Sequence, residues 1–496
     1  MSLAGAMRCK QRVTWRNHTG NQMVQPLRRC FVEGEADVVR LVKQAEADGT
    51  TVRAVGSGHA WSDAALTSGF VIETHGLCGG FEASPRPLRD SWRTRCLVRA
   101  EGGMRVRALN EHLLRAKLGL TNMGGYDGQT LAGMISTSTH GSGLTFGPLS
   151  DAVRSLDVVV SHGRRLRIEP TDGPTDPVTY GDGDGRRLLQ DDHYFRAAKV
   201  GIGCLGVITS LLLEVEEEYW LTERRWEESW SDVREALLAG DVLRDKKTRH
   251  YEVYFSPYER GGDRRCLVTT RTRAEPRGSP RLGDRRRTRN FRTEALGRLP
   301  FLAEILNWLS HARPQITPWM LDQAIKALVD AEYTNQSHRV LNIGQANFLP
   351  AYSSEIAVPI ADGHHVAAIE RVFEVCDRHR RVGNVFHTSP IALRFVKASD
   401  AYLSMMQGRD TMMIELIMMT RTNGGFELLA DYERELYELG GRPHWGQFNV
   451  LGPKVVREMY PQLDRWLEVH ADFNETGVFD GPFSRRVGLA TQAFRP

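Results

Sequence analysis

The chain has 496 residues, 41% apolar and 25% charged, with 65 basic against 61 acidic side chains and a formal net charge of +4. Such ordinary globular composition predicts about two to four domains and excludes wholesale disorder, collagen-like and disulfide-scaffold architectures. The near balance of charge leaves no global field that would call for nucleic acid or an anionic membrane as partner. Cys9, Cys30, Cys78, Cys96, Cys204, Cys266 and Cys376 are scattered, odd in number and without a Cys-x-x-Cys pair. Structural zinc, iron–sulfur clusters and a disulfide framework are therefore not expected. The start has no apolar run of signal-peptide length, and nowhere do about 18 apolar residues follow one another. The expectation is a soluble, cytoplasmic protein of a reducing compartment, with no metal and no transmembrane segment.

In chain order, residues 32–76 read as a βαβ-like unit: a helical period in FVEGEADVVRLVKQAEADG, then short strands at TVRAVG and GFVIET. RCLVRAEGG reads as a strand and MRVRALNEHLLRAKLG as a helix stopping at Gly119. Residues 120–150 are dense in Gly, Ser and Thr, and a loop-rich stretch that long has backbone amides in search of partners. Strands return at VRSLDVVVSHGRRLRIE, a helix at DHYFRAAKVG and a β run at GVITSLLLEVEEEYWL. Residues 221–300 are rich in Trp, Glu and Arg. Their basic run 271–292, punctuated by Pro276, Gly278, Pro280 and Gly283, reads as a solvated insertion loop rather than a nucleic-acid surface. SSEIAVPI, IALRFV and TMMIELIMM predict a second sheet over about 340–420. The tail carries a helix at DYERELYELGG, the cluster RPHWGQFN and a last helical stretch REMYPQLDRWLEVHADF.

Three Gly-rich segments bear on chemistry. Gly201-Ile-Gly203-Cys-Leu-Gly206 matches the dinucleotide fingerprint in letters only, because a helix precedes it and a strand follows it, the reverse of the order that motif needs. In VRAVGSGHAWSD (52–63) a strand enters small residues around one His. Gly56, Ser57 and Gly58 can form a nest of amides that accepts phosphate oxygens beside His59. GQTLAGMISTSTHGSG (128–143) repeats the pattern around His140. Two such loops suit a large dinucleotide; composition alone allows two capped turns equally well.

The motifs together resemble a known family. Gly56-Ser57-Gly58-His59-Ala60-Trp61-Ser62 looks like the G-x-G-H loop of the vanillyl-alcohol-oxidase (PCMH-type) FAD-binding family, in its aldonolactone and alditol oxidase branch. Trp15-Arg16-Asn17 with Gly20-Asn21, Thr130 through Gly133 and Ser136 through Gly141, Ala197-Ala198 through Thr209, Arg442-Pro443-His444-Trp445-Gly446, and Thr476 through Phe479 are similar to its other motifs, in order. The resemblance implies an α+β protein: a two-domain PCMH-type FAD-binding fold with a cap domain built on an antiparallel sheet. It implies an FAD-binding domain over 1–220, a cap and substrate domain over 221–425, and a segment 426–496 that returns to close the active site. The implied cofactor contacts are Val55 through Ala60, Gly124, Gly125, Thr130, Gly133, Ser136, Thr137, His140, Gly141, Gly206, Val207 and Ile208. His59 stands where the family joins the flavin covalently.

At the substrate end the pattern breaks. The branch carries Glu-x-Arg on a cap strand, whereas this chain has Ala392-Leu393-Arg394; and its H-W-G-K becomes His444-Trp445-Gly446-Gln447. A carboxylate and an ammonium are gone together, which favours a larger or less polar alcohol, or an amine-bearing one, over a small polyol. Arg394, His444, Gln447 and Tyr126 are the expected catalytic residues. His444 is the first candidate base because it can titrate near neutrality, with His387, Glu355 and Tyr126 as others. The implied reaction is oxidation of an alcohol carbon by hydride transfer to flavin N5, with O2 reduced to H2O2. A dehydrogenase using a quinone or cytochrome, or a flavin-binding protein without turnover, are the alternatives. Gly124 or Gly125 occupies the position that governs oxygen access in the branch.

Overall fold

The computed structural model describes residues 8–85, 87–181, 185–245, 247–275, 300–343 and 350–490. In the first unit the helix Glu35–Ala47 buries Val38, Leu41, Val42 and Ala45, the i, i+3, i+4, i+7 stripe that its sequence predicts. It packs on strands Arg28–Phe31, Phe70–Glu73 and Val52–Val55, which pair in parallel in that order. Strand Arg8–Gln11 pairs antiparallel with Arg28–Phe31 and sets Cys9 directly opposite Cys30, and the two form a disulfide. No disulfide framework was expected from the spacing of the cysteines; strand register brings this one pair together. From the far end of the chain, Val478 and Phe479 enter the same core, and Val52 N–H bonds to the Val478 carbonyl at 2.7 Å.

A six-stranded sheet follows, ordered Arg187–Gln190, Arg165–Glu169, Val153–Val159, Val207–Glu214, Leu97–Glu101 and Phe81–Ala83. The helix Asp192–Ala198 precedes Gly201–Gly206 and the strand Val207–Glu214 follows, as the sequence order requires. The helix expected to stop at Gly119 runs only over Val106–Arg115. The stretch 120–150 is not all loop: Leu131–Ser136 forms a short helix because Leu131, Met134 and Ile135 fall on one buried face.

The third sheet has eight antiparallel strands, ordered Asp330–Gln336, Trp220–Ser229, Asp263–Ala274, His250–Arg260, Ile391–Val396, Thr411–Met419, Ala351–Pro359 and Arg442–Pro443. It therefore begins at 220, well before the expected 340, and reaches into the tail. Helices His364–Gly383, Gly425–Tyr437 and Trp230–Ala239 cover one face, where Ile391, Leu393, Phe395, Ile414, Leu416 and Met418 are packed. By the period-two alternation of a strand, Ala392, Arg394, Glu415 and Ile417 fall on the other face. Burial on both faces explains why TMMIELIMM reads as an almost unbroken apolar run.

Two further expectations need correction. The head of the basic run is not a solvated loop: Arg271 lies inside Asp263–Ala274, 1% exposed, with Nε 2.7 Å from Glu223 and Nη1 2.7 Å from Glu252. Cross-strand carboxylates supply the buried charge with partners. The rest of the run, 276–292, lies outside the described residues. In the tail, the helix predicted over 431–441 starts six residues earlier, at Gly425, and ends at Tyr437. The last helical stretch is split into Pro453–Met459 and Leu463–Phe473 around Pro461, which has no N–H to continue the ladder. Among the described residues no helix is long and apolar enough to cross a membrane.

Candidate active site

Strand Val52–Val55 delivers the chain into the loop Gly56–Ala60 at the wall of a cavity of about 1330 Å³. Across from it Thr130 stands at the N-terminal end of the helix Leu131–Ser136, its hydroxyl making no capping bond. The two loops touch so closely that a Cβ on Gly56 would lie 1.9 Å from Thr130 Oγ1, so no larger residue fits there. The N-terminal Trp-x-Asn segment explains itself here. Asn17 Nδ2 donates to the Ala60 carbonyl at 2.9 Å, Asn21 Nδ2 to that of Trp61 at 2.9 Å, and His18 N–H to that of Gly58 at 2.8 Å. The tail motif braces the other side: Trp61 N–H bonds to the Gly446 carbonyl (2.8 Å) and Ser62 Oγ to that of Trp445 (2.7 Å). Three segments far apart in sequence thus converge on one loop.

His59 is packed between His18, stacked with ring centroids 4.6 Å apart, and Tyr126 at 4.3 Å, with Trp61 edge-on at 5.6 Å. Burial, helped by His18, lowers its pKa to about 4, so the imidazole is neutral at physiological pH. Its Nε2 is buried without a hydrogen-bond partner.

Fifteen of the seventeen residues expected around a cofactor line the cavity. Val55, Gly56, Ser57, Gly58, His59 and Ala60 come from the first loop, and Thr130, Gly133, Ser136, Thr137 and His140 from the second. Gly124 and Gly125 precede the second loop, and Gly206 and Ile208 open the strand Val207–Glu214. Gly141 and Val207 stand apart. Gly141 backs onto Asn122, where a Cβ would lie 2.2 Å from Oδ1, while alternation turns Val207 into the core with Val159 and Phe479. Arg53 was not anticipated. It lines the cavity, donates Nη1 to the Ile202 carbonyl at 3.3 Å and leaves Nε and Nη2 buried without partners. An Arg inside the strand VRAV was the signal for it.

All four expected catalytic residues, Arg394, His444, Gln447 and Tyr126, line the same cavity, where the third sheet meets the loops. Arg394 Nη2 is 2.9 Å from Glu415 Oε2, and its Nη1 is 3.6 Å from Glu355 Oε1. Glu355 Oε1 is also 3.2 Å from His140 Nε2, while His140 Nδ1 lies 2.9 Å from the Gly141 carbonyl. Burial works to raise the Glu355 carboxyl, but His140, then His444 and Arg394, outweigh it and hold it at about 2. Burial drives His444 down to about 4, and its Nδ1 accepts the Gly446 N–H at 3.0 Å. Gln447 carries a buried side-chain Oε1 with no partner. His387 is elsewhere, fully buried under the helices beside Tyr432, with neither ring nitrogen bonded. Glu415 escaped sequence reasoning, although a lone carboxylate in TMMIELIMM marked it.

Beyond Arg394 the cavity continues beneath the helix Thr317–Leu328, against Leu267, Leu306, Ala324, Ala327, Leu328 and Ile417. This arm is apolar.

Comparison with known proteins agrees with this arrangement. The D-arabinono-1,4-lactone oxidase family matches residues 212–487, and an FAD binding domain matches residues 26–169. The chain is 30% identical to an L-gulono-1,4-lactone dehydrogenase of Mycobacterium tuberculosis over 95% of its own length and 98% of that protein. It is 24% identical to the L-gulonolactone oxidase of Mus musculus (88% of this chain, 89% of that one) and 24% identical to an alditol oxidase of Streptomyces sp. (78% and 80%). Among solved structures, cholesterol oxidase from B. sterolicum shares the fold at a TM-score of 0.77 and 15% identity, with 97% of both chains covered.

The residues present fit FAD. Two amide-rich loops face a cavity of dinucleotide size, a buried guanidinium at Arg53 with two unpartnered nitrogens suits an anionic group, and a neutral, unpartnered imidazole nitrogen stands at His59. Fold, cradle and family agree with the resemblance read from the sequence: the chain belongs to the D-arabinono-1,4-lactone oxidase family and is an FAD-dependent oxidoreductase.

Proposed function

We propose that the protein oxidises the CH–OH carbon of a small-molecule alcohol or lactone whose body is largely apolar, with O2 as electron acceptor and with FAD attached covalently through His59. The observation that carries this reading is one continuous cavity. It joins the His59 loop, the charged face at Arg394 and the apolar arm under Thr317–Leu328. Bound FAD supplies the acceptor for the two electrons of the substrate C–H bond. The chain's own groups do the rest. The loops Gly56–Ala60 and Thr130–Thr137 hold the cofactor. Arg394, fixed by Glu415 and Glu355, offers donors to the oxygen that gains negative charge as the proton leaves. The arm takes the body of the substrate and excludes water. A division into an FAD-binding part (1–220), a cap (221–425) and a returning tail (426–496) belongs to the same proposal; Val478 in the first core supports it.

A dehydrogenase passing electrons to a quinone or cytochrome is the second reading. It is favoured by the name of the Mycobacterium tuberculosis relative and by the Ile343 side chain, which would lie 2.6 Å from a Cβ on Gly125. Anaerobic bleaching of the flavin, screened over lactones, polyols, sterols and amino alcohols, tests the substrate class. No bleaching by any of them would refute it. Rapid reoxidation of the reduced protein by air, against slow reoxidation by air and fast by a quinone, separates the two acceptors.

A further inference from the structure

We propose that Glu415 is the base that takes the substrate's hydroxyl proton, acting from the strand beside the one that carries Arg394. The inference rests on the CH–OH reading above. In strand register Glu415 stands opposite Ala392 on one side and Glu355 on the other. Ala392 presents only a methyl group to the cavity, and Glu415 reaches Arg394 Nη2 at 2.9 Å through Oε2. The ion pair thus engages one carboxylate oxygen.

The other titratable acceptors on this face suit the role less well. Glu355 Oε1 is buried without a hydrogen-bond partner, but His140 at 3.2 Å and Arg394 at 3.6 Å outweigh its burial and keep its carboxyl too low to hold a proton. His444 accepts the Gly446 N–H on Nδ1, so its neutral ring already carries a proton on Nε2. His140 is spent between Glu355 and the Gly141 carbonyl. Glu415 differs. Burial and the neighbouring Glu355 raise its pKa, while Arg394 and His140 oppose the rise. Tyr254 and Glu252 on His250–Arg260 also face this cluster, with Arg225 on Trp220–Ser229 beside Tyr254, and Glu252 is itself held by Arg271. In the step, the substrate O–H bond breaks and the proton forms the carboxyl O–H of Glu415. The C–H pair leaves as the hydride that FAD accepts, and C=O remains. Arg394 stays over the oxygen throughout.

The test uses the holoenzyme, with L-gulono-1,4-lactone, xylitol and cholesterol as probes of anaerobic flavin reduction. In Glu415→Gln the limiting reduction rate with the active probe should fall by about 100-fold or more, the lower end of a general-base contribution. The half-saturating concentration and the flavin content should hardly move, and the acid limb of the pH profile should vanish. Moving the carboxylate across the strands, Ala392→Glu with Glu415→Ala, should recover at least a tenth of the wild-type rate. A turnover-free readout accompanies this: an infrared carboxyl C=O band of the resting protein that titrates above the ordinary Glu range and is missing in Glu415→Gln. Reduction of Glu415→Gln within threefold of wild type would overturn the proposal and leave the CH–OH reading standing. Failure of all three probes to reduce the wild type would bring down that reading and the proposal with it. If Glu415→Gln does not fold, Glu415→Ala decides: flavin bound and reduction within threefold of wild type overturns the proposal.

Discussion

The cradle around His59 and the face around Arg394 border one cavity but are assembled by different means. In the cradle the functional groups come mostly from contiguous stretches, Gly56–Ala60 and Thr130–Thr137, and the chemistry lies in backbone amides and small residues. On the face, Glu355, Arg394 and Glu415 come from three strands, and each group works only because pairing sets it beside the others. A contiguous cradle tolerates little change of residue, as the 1.9 Å approach at Gly56 shows. A face built by register can move a carboxylate from one strand to the next and keep its place in space.

The largest effect should come from the cradle. His59→Ala is expected to convert a flavin that stays with the polypeptide after acid precipitation into one released to the supernatant. Because the imidazole is neutral down to about pH 4, attachment to apo-protein should proceed at an even rate from pH 6 to 9. It should fail only as the ring protonates near pH 4, where the nitrogen lone pair is lost. Complete release of flavin from the unmodified protein would remove the covalent link from the proposal.

Next is the face. Arg394→Met removes fixed donors from a dry site, where one such group is worth about 2–4 kcal/mol, so flavin reduction should slow by at least about tenfold. The variant leaves Glu355 and Glu415 facing each other without their shared cation. Its melting temperature should therefore drop as pH rises through the range in which Glu415 ionises, and recover in acid. Unchanged reduction kinetics would detach the strand face from the reaction and leave the cradle as the whole of the site.

This contrast also decides what could be read from the sequence. Gly56, His59, Thr130 and the Asn17 segment were legible because each motif folds nearly in place. Arg394 was found because a motif carried it, and the missing carboxylate at 392 was noticed for the same reason. Glu415 was not found, since only pairing with Ala392 makes it a neighbour of Arg394. The Cys9–Cys30 bond and the buried Arg271 were hidden in the same way, each depending on which strand lies opposite. Strand periodicity says which face a residue takes but not what faces it there.

A smaller effect should sharpen the cradle side. Arg53 is a buried cation with two unpartnered nitrogens, and it lines the cavity that fits a dinucleotide. Arg53→Met keeps the length of the side chain and removes the charge. Charge-assisted hydrogen bonds are worth about 1.5–3 kcal/mol. FAD should therefore bind the apo-protein about tenfold or more weakly, with weaker dependence on salt, by fluorescence titration. Equal affinity in both proteins would make Arg53 a packing residue.

The smallest effect tests oxygen access, where cradle and face meet. At Gly125 a Cβ would lie 2.6 Å from Ile343 Cγ1 and 3.8 Å from Arg394 Nη2, so any substitution there disturbs the face as well as the gap. Gly124 is the cleaner position. A Cβ there would meet only the His140 carbonyl oxygen and Thr139 Cγ2, each at 3.3 Å, close enough to fill space with little movement of neighbours. If O2 passes over this glycine, a single methyl group takes up room comparable to the molecule itself in a packed site. Gly124→Ala should then slow reoxidation in air by about three- to tenfold and leave anaerobic reduction within twofold, with the two half-reactions followed separately by stopped flow. Equal slowing of both would mean that the methyl disturbs the cradle rather than a path for oxygen. Slowing of neither would put the path elsewhere and strengthen the dehydrogenase reading, in which the packed Ile343 already closes this side.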